Sequence, residues 1–285
     1  VGVTAVLVTT MSMFSHAATY YVNCSAKRNG SGTQSSPWNN LGPVNGQTFS
    51  PGSTILFARG TTCSGQLYAQ GDGTSSSPNT IDAYGTGASP KINGGTGNNA
   101  GVAVSNSYWT VQNLEVLGGS LYGVWVGGGT VNGLILRNLN VHGTYGVSTS
   151  IDDAGEVWVG PNQLNNALID GVTAHDTKRA AGIFVSAGGG TGLTVQNSTV
   201  YNVYGDGILI QFVNNAVIQN SVVHNSGNCP NCSGTPSGLW EYFCTNCTLQ
   251  YNESYDNHTI PGSSDGGDFD IDSGNVNNTL QYNYG

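Results

Sequence analysis

The feature that most constrains the fold of this chain is an internal repeat with a period near 28 residues. Seven segments align with one another, from VQNLEVL at 111–117 to a partial copy at 280–285. Their second residues lie 23 to 33 positions apart, which is typical of a fixed unit with loops of variable length. A unit this short cannot bury its apolar side alone, so we expect the units to stack.

Each copy is followed by a second short apolar segment, such as GVWVG at 123–127 or GIFVS at 182–186. Strands of this length expose two faces, and Gly or Asn suits the corners where φ is positive. From the second copy to the sixth, one column holds either His or Tyr, which predicts rings stacked along the corner rather than metal binding: His142, His175, Tyr201, His224 and Tyr255. The pattern predicts an all-β solenoid, the parallel β-helix, with coils about 4.8 Å apart.

The composition agrees with such a solenoid and excludes other classes. The 285 residues include 43 glycines and 32 asparagines, but charged residues make up only 8%. A helical bundle would need far more Ala, Glu, Lys and Leu, and a disordered chain would carry more charge. The net charge of −9 argues against binding to nucleic acid or to an anionic membrane surface.

The two ends of the chain predict an exported protein of greater length. Residues 1–17 combine an apolar stretch with small residues, as at the end of a secretory signal peptide. We expect residues 18–285 to form one β-helix domain without a membrane span, monomeric and secreted or displayed at the cell surface. A strand at 19–23 and a short capping helix near Pro37 should open the domain, and Gly285 interrupts the repeat.

Six cysteines in an exported chain favour disulfide bonds. Cys24 and Cys63 would join the cap to the first coil. The other four follow a Cys-x2-Cys-x11-Cys-x2-Cys spacing, which predicts two disulfides that brace the loop at 226–237. The alternatives are a zinc site and free thiols at Cys229, Cys232, Cys244 and Cys247.

The acidic residues concentrate late in the chain, since thirteen of the 16 follow residue 150. In the segment DFDID, Phe269 and Ile271 should face the core, so the aspartates face outward. Such a cluster could bind Ca²⁺, supply carboxyl groups for glycoside hydrolysis or form a hydrated edge. The predicted calcium ligands are Asp265, Asp268, Asp270 and Asp272.

Glu241 lies in the preceding strand, and two strand registers are open for it. If the two strands are aligned at their glycines, Glu241 lies beside Asp270. If they are aligned by the 31-residue spacing from Gln250 to Gln281, Glu241 lies beside Asp272. Either register predicts two carboxyl groups about 5 Å apart, one strand spacing.

An aromatic column should lie on the same outer face, if the glycines set the register: Trp125, Trp158, Phe184, Leu209 and Trp240. These rings could stack on sugars or pack beneath surface loops. Lys178 is a candidate catalytic base about three coils from Asp270. The residues predicted to bind substrate are Trp158, Arg179, Trp240 and Tyr242.

The repeat and the stretch DGGDFDID at 265–272 resemble exported proteins of the pectate-lyase-like superfamily. The resemblance implies a right-handed β-helix, and it covers nearly the whole mature chain. The superfamily includes polysaccharide lyases, glycoside hydrolases, pectin esterases, epimerases and phage tailspikes. Neither the Gly-His-Gly motif of polygalacturonases nor the Arg-x-Pro-x-x-Arg motif of the main pectate lyases is present, so no catalytic residue transfers.

The sequence therefore predicts a secreted enzyme that degrades a polysaccharide in a groove along the solenoid. The first hypothesis is a lyase assisted by Ca²⁺, with Glu241, Asp270 and Lys178 as candidate catalytic residues. The alternatives are a glycoside hydrolase that pairs Glu241 with Asp270 or Asp272, and a non-catalytic solenoid that binds glycans or surfaces.

Overall fold

The chain winds into coils that build three long parallel sheets. A computed structural model describes residues 17–146, 153–263 and 265–285. The predicted signal segment, apart from Ala17, lies outside this part of the chain. Within the described ranges, no helix is long and apolar enough to cross a membrane.

The first sheet contains one short strand from each coil, ordered along the solenoid axis. Its strands are β1 (Thr19–Val22), β2 (Thr54–Ala58), β5 (Asn79–Tyr84), β8 (Trp109–Gln112), β12 (Ile135–Arg137), β16 (Leu168–Asp170), β19 (Thr194–Gln196), β22 (Val217–Gln219), β25 (Thr248–Gln250) and β28 (Thr279–Gln281). Each predicted repeat segment therefore covers a strand of this sheet, the corner that follows it and a strand of the third sheet.

The second sheet bears the face on which the sequence placed the site. Its strands are β4 (Leu67–Tyr68), β7 (Ala100–Val104), β10 (Tyr122–Val126), β14 (Gly155–Val159), β18 (Ala181–Thr191), β21 (Ile208–Asn214), β24 (Leu239–Tyr242) and β27 (Phe269–Ile271). Two further strands pair at its margin, β11 (Thr130–Asn132) and β15 (Gln163–Asn165).

The third sheet closes the coil. Its strands are β3 (Thr62–Ser64), β6 (Lys91–Asn93), β9 (Glu115–Leu117), β13 (Asn140–His142), β17 (Thr173–His175), β20 (Thr199–Tyr201), β23 (Val222–His224) and β26 (Glu253–Tyr255).

The core is a set of apolar ladders between the sheets. In the first sheet, Leu136 lies between Val111 and Ile169 of the neighbouring coils, and all three are fully buried. Strands inside each sheet pair with one strand of the preceding coil and one of the following coil. The apolar side chains of one coil therefore pack against those of the next. The all-β solenoid predicted from the repeat is confirmed.

The corners follow the predicted chemistry. Asn197 and Asn220 have φ angles of 51°, in the left-handed region that Asn tolerates better than most residues. At another corner the His and Tyr rings stack as predicted. The ring centroid of His175 lies 5.0 Å from that of His142 and 4.8 Å from that of Tyr201, with interplanar angles of 11° and 5°.

The N-terminal helix is shorter than the predicted cap. It is confined to α1 (Gly42–Asn45), in which Val44 is fully buried. The predicted disulfide between Cys24 and Cys63 is present and joins the end of β1 to β3.

The four clustered cysteines divide into two unlike pairs. Cys229 and Cys232 form a disulfide, whereas Cys244 and Cys247 are free thiols buried in the core. The prediction of two disulfides is therefore wrong for the second pair. The four-cysteine zinc site is also wrong, because a disulfide consumes two of its ligands.

One buried carboxyl group should make the stability of the protein depend on pH. Glu156 is fully buried, and burial raises its pKa to about 8, with Asp176 adding to the rise against hydrogen bonds from Thr144. The backbone N–H of Thr144 donates to Oε1 at 2.9 Å, and its hydroxyl lies 2.6 Å from Oε2.

Because the folded pKa lies above the ordinary value of 4.5, the folded protein keeps a proton that the unfolded chain loses. The contribution of Glu156 is fully present below about pH 4.5 and is lost as the pH rises through about 8. We expect Glu156→Gln, which resembles the neutral acid, to flatten this loss in denaturant unfolding measured across that range. Equal pH slopes for the two proteins would contradict the assignment.

Candidate functional site

A ladder of large side chains runs along the outer face of the second sheet. From β10 to β24, the strands align in the register predicted from their glycines. The aligned residues are Trp125, Trp158, Phe184, Leu209 and Trp240. The rings of Trp158 and Phe184 stack with centroids 4.1 Å apart and an interplanar angle of 2°.

The ladder forms a second apolar cluster outside the core. Phe184, Leu209 and Trp240 are only 3%, 2% and 8% exposed, whereas Trp158 and Tyr242 are half-buried at its margin. The ladder is therefore largely covered, and the stacking of its rings on sugars stays a prediction. The cleft has a volume of about 270 Å³ and is lined by Phe184, Leu209, Gln211, Thr235, Trp240, Tyr242 and Asp272.

A buried aspartate fixes the orientation of Trp240. The indole Nε1 donates to Oδ1 of Asp206 at 2.8 Å, and the backbone N–H of Ser237 donates to the same oxygen at 3.0 Å. Hydrogen bonds to a carboxylate are stronger than those between neutral groups, so the edge of the cleft is pre-organised.

Both registers predicted for Glu241 are wrong. The strands β24 and β27 align Leu239 with Phe269, Trp240 with Asp270 and Glu241 with Ile271. Glu241 therefore shares the core side of the sheet with Leu239, on the face opposite to Asp270. A shift of one residue moves a side chain to the other face of a strand, and the two candidate registers each differed by one.

The carboxyl group of Glu241 has no exposed surface. Burial raises its pKa to about 7, and the nearby Asn278 amide opposes the rise. The catalytic role assigned to Glu241 stays a prediction, but its carboxyl faces away from the cleft.

Three of the four predicted aspartates interact at the C-terminal end of the cleft. Asp270 is partly buried beside Trp240, and desolvation, followed by the charges of Asp272 and Asp265, raises its pKa. The carboxylate of Asp272 accepts hydrogen bonds from the backbone N–H of Ser273 at 2.6 Å and from its hydroxyl at 3.0 Å.

The fourth aspartate, Asp268, is directed to another corner, where it accepts a hydrogen bond from the amide of Asn257 at 2.8 Å. Among the described residues, no three of these aspartates bring carboxylate oxygens within 4.8 Å of one another. The calcium site predicted from their alternation stays a prediction.

The basic candidates lie beside the middle of the ladder. Lys178 and Arg179 are exposed in the turn before β18, which is separated from β27 by β21 and β24. The Lys178 ammonium lies 5.6 Å from the ring centroid of Tyr145. The structure therefore brings Trp240, Tyr242, Asp270 and Asp272 together but leaves Lys178 and Arg179 apart.

The sequence did not single out Gln211 and Thr235, which also line the cleft. Gln211 follows the aromatic ladder at the position opposite Tyr242, so the strand alignment could have indicated it. Thr235 belongs to the loop at 226–237, whose path no periodicity predicts.

The chain matches no protein-family model and no curated protein sequence. Several solved structures have the same fold. A GH136 lacto-N-biosidase from Eubacterium ramulus superposes with a TM-score of 0.81 at 21% identity, over 94% of this chain and 56% of that chain. This chain thus spans little more than half the length of the lacto-N-biosidase.

The pectate lyase Pel9A gives a TM-score of 0.66 at 15% identity, over 95% of this chain and 78% of that chain. A rhamnogalacturonan lyase gives 0.52 at 16% identity, over 93% and 63%. At these identities the likeness establishes the fold alone, and the prediction of a pectate-lyase-like fold is confirmed.

Proposed function

We propose that this right-handed parallel β-helix of the pectate-lyase-like fold is an exported glycoside hydrolase that binds a glycan along the aromatic ladder. The observation that carries the proposal is Asp270, a carboxyl group with a raised pKa beside the cleft and next to the ionisable Asp272. Glycoside hydrolysis needs two carboxyl groups in different protonation states.

In this proposal Asp270 is the general acid. Its proton passes to the oxygen of the glycosidic bond as that bond to the anomeric carbon breaks. Asp272, which accepts two hydrogen bonds from Ser273, either attacks the anomeric carbon or takes the proton of the attacking water. The residues lie at alternate positions, so their Cα atoms are about 6.6 Å apart.

The aromatic ladder supports a carbohydrate as the ligand. The half-buried ring of Tyr242 lines a cleft that also contains the polar groups of Gln211 and Thr235. The half-buried ring of Trp158 stacks on Phe184 in the wall of that cleft. Binding sites commonly combine apolar walls with a few polar groups that fix orientation. The names of the lacto-N-biosidase and the two lyases support a glycan substrate, and the two disulfides support export.

A lyase that uses Ca²⁺ remains the second candidate. The acidic group of Asp265, Asp270 and Asp272 favours a cation, and a hard cation would neutralise a uronate carboxyl group. Against it, elimination needs a base, and the candidate base Lys178 lies before β18, three strands from Asp270 in the sheet.

One assay separates these functions. The purified protein is incubated with polygalacturonate, alginate, rhamnogalacturonan and a lacto-N-biose-capped oligosaccharide, with and without chelator. We expect new reducing ends without the ultraviolet absorbance of an unsaturated product, and no effect of the chelator. Absorbance that disappears with chelator would establish the lyase instead. Binding without any cleavage would leave a glycan-binding solenoid.

A further inference from the structure

A buried cluster on the core side of β24 is not used by the proposed reaction. One ligand atom each from Glu241, Cys244 and Cys247 lie within 4.8 Å of one another, and all three residues are fully buried. The positive φ angles of Phe243 (48°) and Asn246 (55°) bend the backbone so that every third side chain enters the same part of the core.

The backbone around the cluster is held by the next coil. The N–H groups of Cys244 and Cys247 donate to the side chains of Asn275 and Asn278 at 2.7 and 2.9 Å. The Asn278 amide is itself used, because it donates to the Cys244 carbonyl at 3.2 Å. The Cys247 sulfur also accepts a hydrogen bond from the backbone N–H of Ala216 at 3.4 Å, and the Cys244 thiol donates to a backbone carbonyl at 3.5 Å. Backbone groups thus position both thiols.

The carboxyl group of Glu241 lies near the Asn278 amide but does not reach hydrogen-bond geometry with it. Within the described part of the chain, neither of its oxygens has a hydrogen-bond partner, although both are buried. A buried ionised group is costly unless it is paired or coordinates a metal, and buried unsatisfied atoms are rare in native proteins. Together with the thiols of Cys244 and Cys247, this carboxyl group provides three side-chain ligands suited to a metal ion.

We propose that Glu241, Cys244 and Cys247 bind one Zn²⁺ ion that braces this corner of the β-helix. Zinc accepts both thiolate and carboxylate ligands, whereas calcium and magnesium prefer oxygen alone. In a tetrahedral site with bonds of about 2.0 to 2.3 Å, ligand atoms are about 3.3 to 3.8 Å apart, so small side-chain movements suffice here. A water molecule completes the shell where the protein supplies three ligands.

The site is independent of the proposed hydrolase. Glu241 and Asp270 face opposite sides of the sheet, so the ion would contribute to stability without contacting the glycan. It also differs from the zinc site predicted for four cysteines, since Cys229 and Cys232 form a disulfide elsewhere.

The test is the metal content of protein purified from zinc-supplemented cells, followed by replacement with Co²⁺. We expect one zinc per chain, and sulfur-to-cobalt charge-transfer absorption with the intensity of two thiolates. Glu241→Gln keeps the shape of the side chain and should weaken zinc binding at least tenfold, roughly the loss from deleting even an outer-shell partner. Cys244→Ser with Cys247→Ser should abolish the cobalt absorption.

The matched control is Cys229→Ser with Cys232→Ser, which removes the other Cys-x2-Cys pair and should leave the zinc content unchanged. A protein without bound zinc and without cobalt–sulfur absorption would overturn the proposal. A Cys244–Cys247 disulfide in mass spectra of the alkylated native protein would overturn it too. If the core variants do not fold, the wild-type cobalt spectrum still decides, because it counts thiolate ligands directly.

Discussion

Replacing Asp270 by Asn is expected to lower kcat on the cleaved glycan by about 10² to 10⁴-fold, the usual contribution of a general acid. Asn has nearly the same shape but cannot donate the proton that the leaving oxygen needs. Because the pKa of Asp270 is raised, the wild-type rate should also fall on the alkaline side as this group ionises. That limb should be absent from the residual activity of the variant.

The control for this variant is Glu253→Gln, which removes one exposed carboxylate from β26 on the third sheet. It changes the net charge by the same amount but lies on another face, so kcat and KM should stay as in the wild type. If Asp270→Asn and Glu253→Gln have equal activity while both remain folded, Asp270 is not the acid.

The second large effect concerns stability. Leu136→Ala removes a fully buried side chain from the ladder between Val111 and Ile169, and we expect a loss of about 2 to 5 kcal/mol in the free energy of unfolding. The loss combines the transfer of the side chain with the cavity it leaves, since rigid coils on both sides prevent the ladder from collapsing. Urea unfolding monitored by circular dichroism measures it.

The comparison variant is Leu280→Ala, which occupies the same column but is 42% exposed. Its expected loss is no more than about 1 kcal/mol, because its environment already contains water. Equal losses for the two variants would show that the ladder does not carry the stability of the solenoid.

The fold was predictable because a solenoid repeats its constraints. Each copy of the repeat shows the same alternation, the same corner residues and the same stacking column. A strand position that is ambiguous in one copy can therefore be assigned from the other copies. The strand pairs of β12, β16 and β19 follow from aligning Leu136, Ile169 and Val195. The predicted ring stack from His142 to Tyr255 follows in the same way.

The candidate site was less predictable because it lies where the repeat is irregular. From Trp240 to Asp270 the offset is 30 residues, whereas Gln250 and Gln281 pair with an offset of 31. One extra residue therefore enters between the second and first sheets of the last coil. The spacing of the first sheet could not predict the register of the second, which places Trp240 rather than Glu241 beside Asp270.

The cysteine pairs show another limit of sequence spacing. Both have the form Cys-x2-Cys, yet Cys229 and Cys232 lie in a loop and are bonded, whereas Cys244 and Cys247 point into the core as thiols. The difference depends on the backbone bends at Phe243 and Asn246, which appear only once the coil is built.

The central claim, that a glycan is cleaved at Asp270 in the cleft beside Trp240, is tested most directly by a crystal structure of Asp270→Asn with an oligosaccharide that the wild type cleaves. We expect sugar rings over Trp158 and Tyr242, with the scissile oxygen within hydrogen-bond distance of residue 270 and Asp272 near the anomeric carbon. An oligosaccharide bound on another face, or one whose scissile bond lies beside Lys178, would contradict the claim.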